Sequence, residues 1–264
     1  MKSLAEMLRP LVAVVTADPA RHANAWATHG SAQAVAQRLP LVHRTAKPGA
    51  EASWLDIVQH RRVAAQPACT PREHRAGVTR AAYFFLGCGA YPDGQVGFVL
   101  DRTALRGQPC SYTPLDSGSL ESHTVPADPG QPWDDAAKDG FFAAHHAQGA
   151  EVHDFAGPYL AGHFQQPLQY VRCRQRSQPD FAPYHGLKDP QGDRRAFTIE
   201  LQAHDDVAFG PSDVHLLEIV VAKPSLLDEL PDDLVGKAWV AHAEGEVLEA
   251  IAERIEARIT AEMS

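Results

Sequence analysis

The order in which strand-length and helix-length apolar runs follow one another constrains this chain most. Residues 1–37 are alanine-rich and read as helical, with Asp18-Pro19 as the cap and first-turn pair of a second helix ending at Gln37. Leu39 to Thr45 reads as a short strand, and Ala52 to Val58, with Trp54, Leu55, Ile57 and Val58, as a helix packing on one side. The stretch AAYFFLGCGAYPDGQVGFVLD gives two further strands, Ala81 to Leu86 and Val96 to Asp101, parted by the turn signal Tyr91-Pro92-Asp93-Gly94. Residues 106–150 are rich in glycine and proline and read largely as loop. Asp134 to Val171 reads as a helical pair, with Asp154 as a cap and Phe155, Tyr159, Phe164 and Leu168 on its apolar side. Then come the two best strands by composition, RAFTIELQAH and VHLLEIVVA. A linker and a periodic helix over Val235 to Met263 close the chain, with Val247, Leu248, Ile251, Ile255 and Ile259 at three- and four-residue steps.

Helices gather at the two ends and do not alternate with strands, which disfavours a doubly wound parallel sheet. The expected fold is α+β: a mixed or antiparallel split sheet with N-terminal helices and a long C-terminal amphipathic helix. It is expected as one domain over 1–264, with a helical part (1–37), a sheet core (38–222) holding the loop-rich insert 106–150, and a C-terminal helical part (223–264).

Composition narrows the function classes. With 44% hydrophobic and 22% charged residues the chain is that of a folded protein. A net charge of -9 works against wrapping a phosphate backbone. Cys69, Cys88, Cys110 and Cys173 form no CxxC pair, so their spacing builds neither a zinc site nor a disulfide scaffold. The run Leu11 to Val15 is too short for a signal peptide, and no stretch approaches the roughly 20 apolar residues of a membrane span. The expected setting is the cytoplasm, with reduced thiols.

GxxxxGK[ST], HExxH and GxSxG are absent, and the GxG in GCGAYPDG opens no helix. Three strand-borne groups remain: His43-Arg44-Thr45 ending the first strand, Tyr83-Phe84-Phe85 in the second, and Glu200 in FTIELQ. Each has a plain reading: a strand end, a core strand with one polar tip, and the solvent side of an alternating strand, with Thr198, Glu200 and Gln202 opposite Phe197, Ile199 and Leu201.

Taken in order, HRT, AAYFF and Glu200 resemble the ADP-ribosyltransferase superfamily, in particular its His–Tyr–Glu branch. The resemblance runs over residues 39–220 as ordered elements. It implies a metal-free enzyme that uses NAD as co-substrate, breaks the nicotinamide–ribose bond and passes ADP-ribose to a macromolecular acceptor, protein or nucleic acid. It also implies roles: His43 and Thr45 hydrogen-bonding the ribose or the nicotinamide amide, Tyr83 stacking on nicotinamide, and Glu200 as the catalytic carboxylate. Arg44 stands where that branch has glycine, and matches instead the arginine other branches place on the NAD phosphates. Thr198 occupies the position of the second acid found in arginine-modifying branches, which points away from an arginine acceptor. Bacterial proteins of this kind and size include toxins and phage-defence effectors.

Two other readings stand beside this one: a non-catalytic α+β binding or assembly module, and a metal-dependent phosphoesterase or nuclease built on Asp193, Glu200, Asp205 and nearby histidines. His145, His146, His153 and His163 lack the three- or four-residue spacing of helical metal ligands. Asp116-Ser117-Gly118 is foremost a turn, or else a loop over the cleft. Arg172, Arg174 and Arg176, with Arg194 and Arg195, form either an anion-binding strip or a solvated edge strand. The terminal helix packs on the body or meets a protein partner.

Overall fold

The structure, a computed structural model, describes residues 32–45, 54–68, 70–87, 94–122, 124–148, 152–164, 167–172, 186–188, 198–241 and 247–264. The expected helices before residue 32, the turn at 91–93, Cys69, Cys88, Cys173, His123, Arg174, Arg176, Asp193, Arg194, Arg195 and Phe197 lie outside these.

Residues 32–36 are helical, and β1 (Leu41–Arg44) follows. Next come α1 (Trp54–His60), the two-residue strands β2 (Arg62–Val63) and β3 (Gln66–Pro67), and α2 (Pro71–Arg75). Strands β4 (Arg80–Leu86), β5 (Val96–Leu100) and β6 (Cys110–Thr113) precede α3 (Ser117–Ser122) and β7 (Val125–Pro126). Then run α4 (Asp135–His145), β8 (Ala147–Gln148), α5 (Val152–His163), β9 (Leu187–Lys188), β10 (Glu200–Ala203) and β11 (Val207–Ala208). The chain ends with β12 (Leu216–Val221), the short α6 (Asp232–Val235), β13 (Ala238–Val240) and α7 (Val247–Met263).

Among the described residues one sheet runs in the order β13-β12-β5-β1-β4-β10-β6-β8, with β3 also paired to β4. All its pairings are antiparallel except β12 with β13. The fold is α+β with a mixed sheet and a C-terminal helix. β1 sits between β4 and β5, so the two runs of AAYFFLGCGAYPDGQVGFVLD flank it and are not partners. Two elements differ from expectation. β6 lies within the stretch read as a loop-rich insert and pairs with both β10 and β8. The closing helix begins only at Val247, because residues 238–240 add a parallel edge strand to β12 instead. Asp154 lies within the first turn of α5 rather than capping it. Arg172 ends a turn, not a strand, and pairs with Glu256 of α7.

Because side chains alternate along a strand, the register divides the sheet into two chemically different faces. One carries Leu41, His43, Phe84, Phe98, Leu201, Tyr112 and Ile219. It is the apolar core, filled out by Phe155 and Tyr159 of α5 and by Val35 of the 32–36 helix. Gly157 lets these helices approach: a Cβ there would lie within 1.8 Å of Gln33 Oε1. The other face carries the polar groups, Arg44, Tyr83, Ser111, Thr113, Glu200, Gln202 and Glu218, with Val42, Phe85, Gly97, Val99 and Val220 among them.

Helix α7 covers one half of that polar face. Its stripe of Val247, Ile251, Ile255 and Ile259 is buried, Ile251 rests on Gly97, and Glu218 accepts hydrogen bonds from Arg254 and Arg258. The apolar side of the terminal helix is thus taken up by its own sheet. Over the other half lie α2 and α3, and this places the candidate site. No helix among the described residues is long and apolar enough to cross a membrane.

Candidate active site

Glu200 and Gln202, at alternate positions of β10, stand on the polar face with Ser111 and Thr113 of β6 beside them. Alternation alone would leave such residues in water, but here they are 2% and 0% exposed. Two short helices close over them, each held by its own first turn. Thr70 and Glu73 form a capping box at the start of α2: Thr70 Oγ1 accepts from the Glu73 amide at 3.2 Å, and Glu73 Oε2 accepts from the Thr70 amide at 2.7 Å. Asp116 precedes α3, and its Oδ1 accepts from the Ser119 amide at 2.6 Å. These caps bring Glu73, Asp116 and Ser117 to Glu200, and all three are buried.

Gln202 ties the cluster together. Its Nε2 donates to Glu200 Oε1 at 2.8 Å and to Glu73 Oε1 at 2.7 Å, using both hydrogens on carboxylates. Its Oε1 accepts from Ser111 Oγ at 3.1 Å and from His146 Nε2 at 3.3 Å. The amide oxygen can only accept, so His146 carries its proton on Nε2. Ser111 Oγ in turn accepts from His204 Nε2 at 3.0 Å. Ser117 Oγ donates to Glu73 Oε1 at 3.0 Å, and its amide lies 3.4 Å from Glu200 Oε2.

Burial, with the Asp116 and Glu73 carboxylates close by, pushes the Glu200 carboxyl well above its ordinary value; the Gln202 and Ser117 hydrogen bonds oppose this and lose. None of the groups that shift Glu200 is a cation. The nearest buried guanidinium by sequence, Arg72, is engaged instead with Glu121 at 2.7 Å, Asp135 at 3.0 Å and Asp139 at 2.5 Å. Burial likewise holds His146 neutral, its pKa lowered to about 4. The result is a buried carboxylate cluster suited to a proton or to a positively charged centre.

Of the residues singled out in the sequence, Arg44, Tyr83 and Glu200 share the polar face. Gln202 lies opposite Tyr83, which is half-buried. Arg44 is buried, and its Nη2 donates to the Gly94 carbonyl. Gly94 is required there, since a Cβ would lie 2.5 Å from Thr45 O and 3.0 Å from Arg44 Nε. Thr45 is buried at the end of β1, its Oγ1 donating to Val96 O at 3.2 Å.

His43 faces the other way. Its ring packs against Phe84 and Phe98, and its Nδ1 donates to Tyr83 O at 2.8 Å, leaving Nε2 as an acceptor. Burial lowers its pKa, so it is neutral. It lines a separate cavity of about 340 Å³ beneath α1, beside Ile57, Val63 and Ala82. The sheet does not bring His43 together with Glu200.

Glu73 and Ser111 were not singled out from the sequence; Gln202 entered only as an outward position of its strand, and His146 only in a histidine set that lacks metal-ligand spacing. The Thr70-x-x-Glu73 spacing signals a capping box, and Gln202 shares the alternation of Glu200; nothing local joins them. The Asp116-Ser117-Gly118 segment opens a helix whose Ser117 touches both Glu73 and Glu200. Asp205 is exposed in the turn after β10. Among the described residues, no three His, Cys, Asp or Glu side chains are grouped as ligands of one metal ion. No protein-family model matches the chain, and no curated protein matches it.

Proposed function

We propose that this chain is an ADP-ribosyltransferase-like enzyme that cleaves the nicotinamide–ribose bond of NAD, with Glu200 as its catalytic carboxylate. The observation that carries the reading is a buried carboxylate with two more beside it and, among the described groups that shift it, no cation, on the same sheet face as Arg44 and Tyr83. Scission of this bond builds positive charge at the ribose C1′ while nicotinamide leaves with the bonding electrons. A carboxylate held in place beside C1′ stabilises that charge. The acceptor then bonds to C1′ and loses its proton. Burial beside two other carboxylates favours the protonated form of Glu200; a cation entering beside it favours the ionised form, so binding draws Glu200 toward releasing a proton.

Arg44 is assigned to the NAD phosphates and Tyr83 to the nicotinamide ring. Thr45 adjoins them at the strand end, whereas His43 is assigned no contact with NAD. The acceptor is a macromolecule, and the setting is the cytoplasm, where NAD is abundant. As in the bacterial proteins of this kind that the sequence resembles, a role as toxin or phage-defence effector goes with this reading.

One observation favours a second reading, a non-catalytic module whose carboxylate cluster only organises the fold. Glu73, Asp116 and Glu200 are at most 2% exposed, and every one of them accepts a hydrogen bond from the protein. Labelled NAD incubated with the protein and cell lysate separates the two. Label transferred to macromolecules by wild type and not by Glu200→Gln supports the transferase. No transfer, together with no shift in melting temperature on adding NAD, supports the module.

A further inference from the structure

Away from the carboxylate cluster, three arginines from distant parts of the chain meet at a polar cleft of about 310 Å³. Arg38 follows the 32–36 helix, Arg102 follows β5, and Arg258 lies on α7. Each is anchored on one side. Arg38 Nη1 donates to Ala34 O at 2.8 Å, Arg102 Nη1 donates to Gln37 O, and Arg258 Nη2 donates to Glu218 Oε1 at 3.0 Å. A guanidinium has five N–H donors, so these anchors orient the groups and leave most donors for a ligand.

Two acids, Asp101 and Glu262, share the cleft, and a third, Glu218, pairs with Arg258 at its edge at 3.0 Å. Asp101 caps the turn after β5, and its Oδ1 accepts from the Thr103 amide at 2.8 Å and from Thr103 Oγ1. Glu262, on the last turn of α7, is 51% exposed and 3.6 Å from Arg38 Nε; a pair so exposed is weak and yields to a stronger anion. Leu39, Pro40 and Leu217 supply an apolar wall. Three arginines against two carboxylates give the lining a small positive excess, in a chain that carries -9 overall.

We propose that this cleft binds a diphosphate group, free or carried on a small organic molecule. Planar guanidinium forks hold phosphate oxygens in pairs, and several of them together match a multiply charged anion better than a monovalent one. The site is separate from Glu200. Its residues Leu39 and Pro40 precede β1, whereas Arg44 ends that strand, about 13 Å further on at strand rise. It stands whether or not the chain consumes NAD.

Titration calorimetry on the full chain at constant ionic strength, with inorganic pyrophosphate, ADP and sulfate as probes, tests it. Saturable binding of pyrophosphate and ADP, and weaker binding of sulfate, is expected. Arg38→Gln and Arg102→Gln should each weaken pyrophosphate binding about tenfold or more, the worth of one charge-assisted contact. Glu262→Gln, at an exposed position that cannot unfold the protein, should tighten it, and Glu200→Gln should leave it unchanged. Equal affinity for the two probes identifies free diphosphate as sufficient; tighter ADP shows that the apolar wall holds the organic part. No binding of either probe, or binding that none of the cleft variants alters, overturns the proposal.

Discussion

Replacing Glu200 with Gln should make the protein more stable, and increasingly so as the pH rises. In the unfolded chain the carboxyl ionises at its ordinary value of 4.5, whereas burial beside Glu73 and Asp116 keeps it protonated well above that in the fold. Over this window the native state binds more protons than the unfolded state. The unfolding free energy therefore falls with rising pH, at about 1.4 kcal/mol per pH unit for one proton. The contribution is fully present below 4.5 and is lost as the pH climbs to the folded value. Gln has the shape of the neutral acid. It keeps an acceptor for Gln202 Nε2, now 2.8 Å away, and presents its amide to Ser117 Oγ at 3.5 Å. His146 acts in the opposite sense: its pKa is lowered to about 4, so stability is lost as pH falls below 6.5. That term is common to both proteins and cancels in their difference. Urea denaturation of both at several values between about pH 5 and pH 8 gives the difference directly. A variant-minus-wild-type stability that rises with pH above the ordinary carboxylate value, at up to about 1.4 kcal/mol per pH unit until the folded carboxyl ionises, is expected. A flat difference would mean that Glu200 titrates as an ordinary solvated carboxylate, and the buried cluster would be refuted.

Gln202→Leu removes the amide that both Glu73 and Glu200 use, and should cost about 3 kcal/mol or more, at about 1.5–3 kcal/mol per charged hydrogen bond; a shift in urea midpoint worth less than about 1 kcal/mol would contradict the network. Gly97→Ala puts a Cβ 2.5 Å from Ile251 Cδ1 and should destabilise by about 1–2 kcal/mol. Adding Ile251→Val, which deletes that methyl, should recover most of the loss, and a double-mutant cycle with no coupling would show that α7 does not rest there. Glu218→Gln weakens the tie to Arg254 and Arg258 and should cost about 1 kcal/mol, less in high salt; a cost that ignores salt would point to packing instead.

The sequence made the apolar strands legible because their period is local. Leu41–Arg44, Arg80–Leu86, Val96–Leu100 and Leu216–Val221 all carry runs that can only be satisfied in a core. Cys110–Thr113 hid because Ser111 and Thr113 face the polar side, leaving Tyr112 as its one large apolar side chain, between glycine- and proline-rich flanks. Residues 238–240 hid because a half-exposed parallel edge strand needs no apolar alternation of its own. The separation of the His43 ring from Glu200 follows from strand parity: neighbours such as His43 and Arg44 cannot share a face. What no local pattern discloses is that the polar side of β10 is covered. That depends on Glu73, 129 residues before Gln202, whose capping-box spacing marks a helix start and says nothing of where the helix docks.

The central claim is that Glu200 is kept, at a cost in stability, for chemistry on a cationic glycosidic centre. Release of nicotinamide from NAD by the purified chain, wild type beside Glu200→Gln, with EDTA present and lysate supplied as acceptor, tests it most directly. Release by wild type, and its loss in a variant that is folded and more stable at neutral pH, is the predicted result. Equal release by both proteins, or none by either, would contradict it.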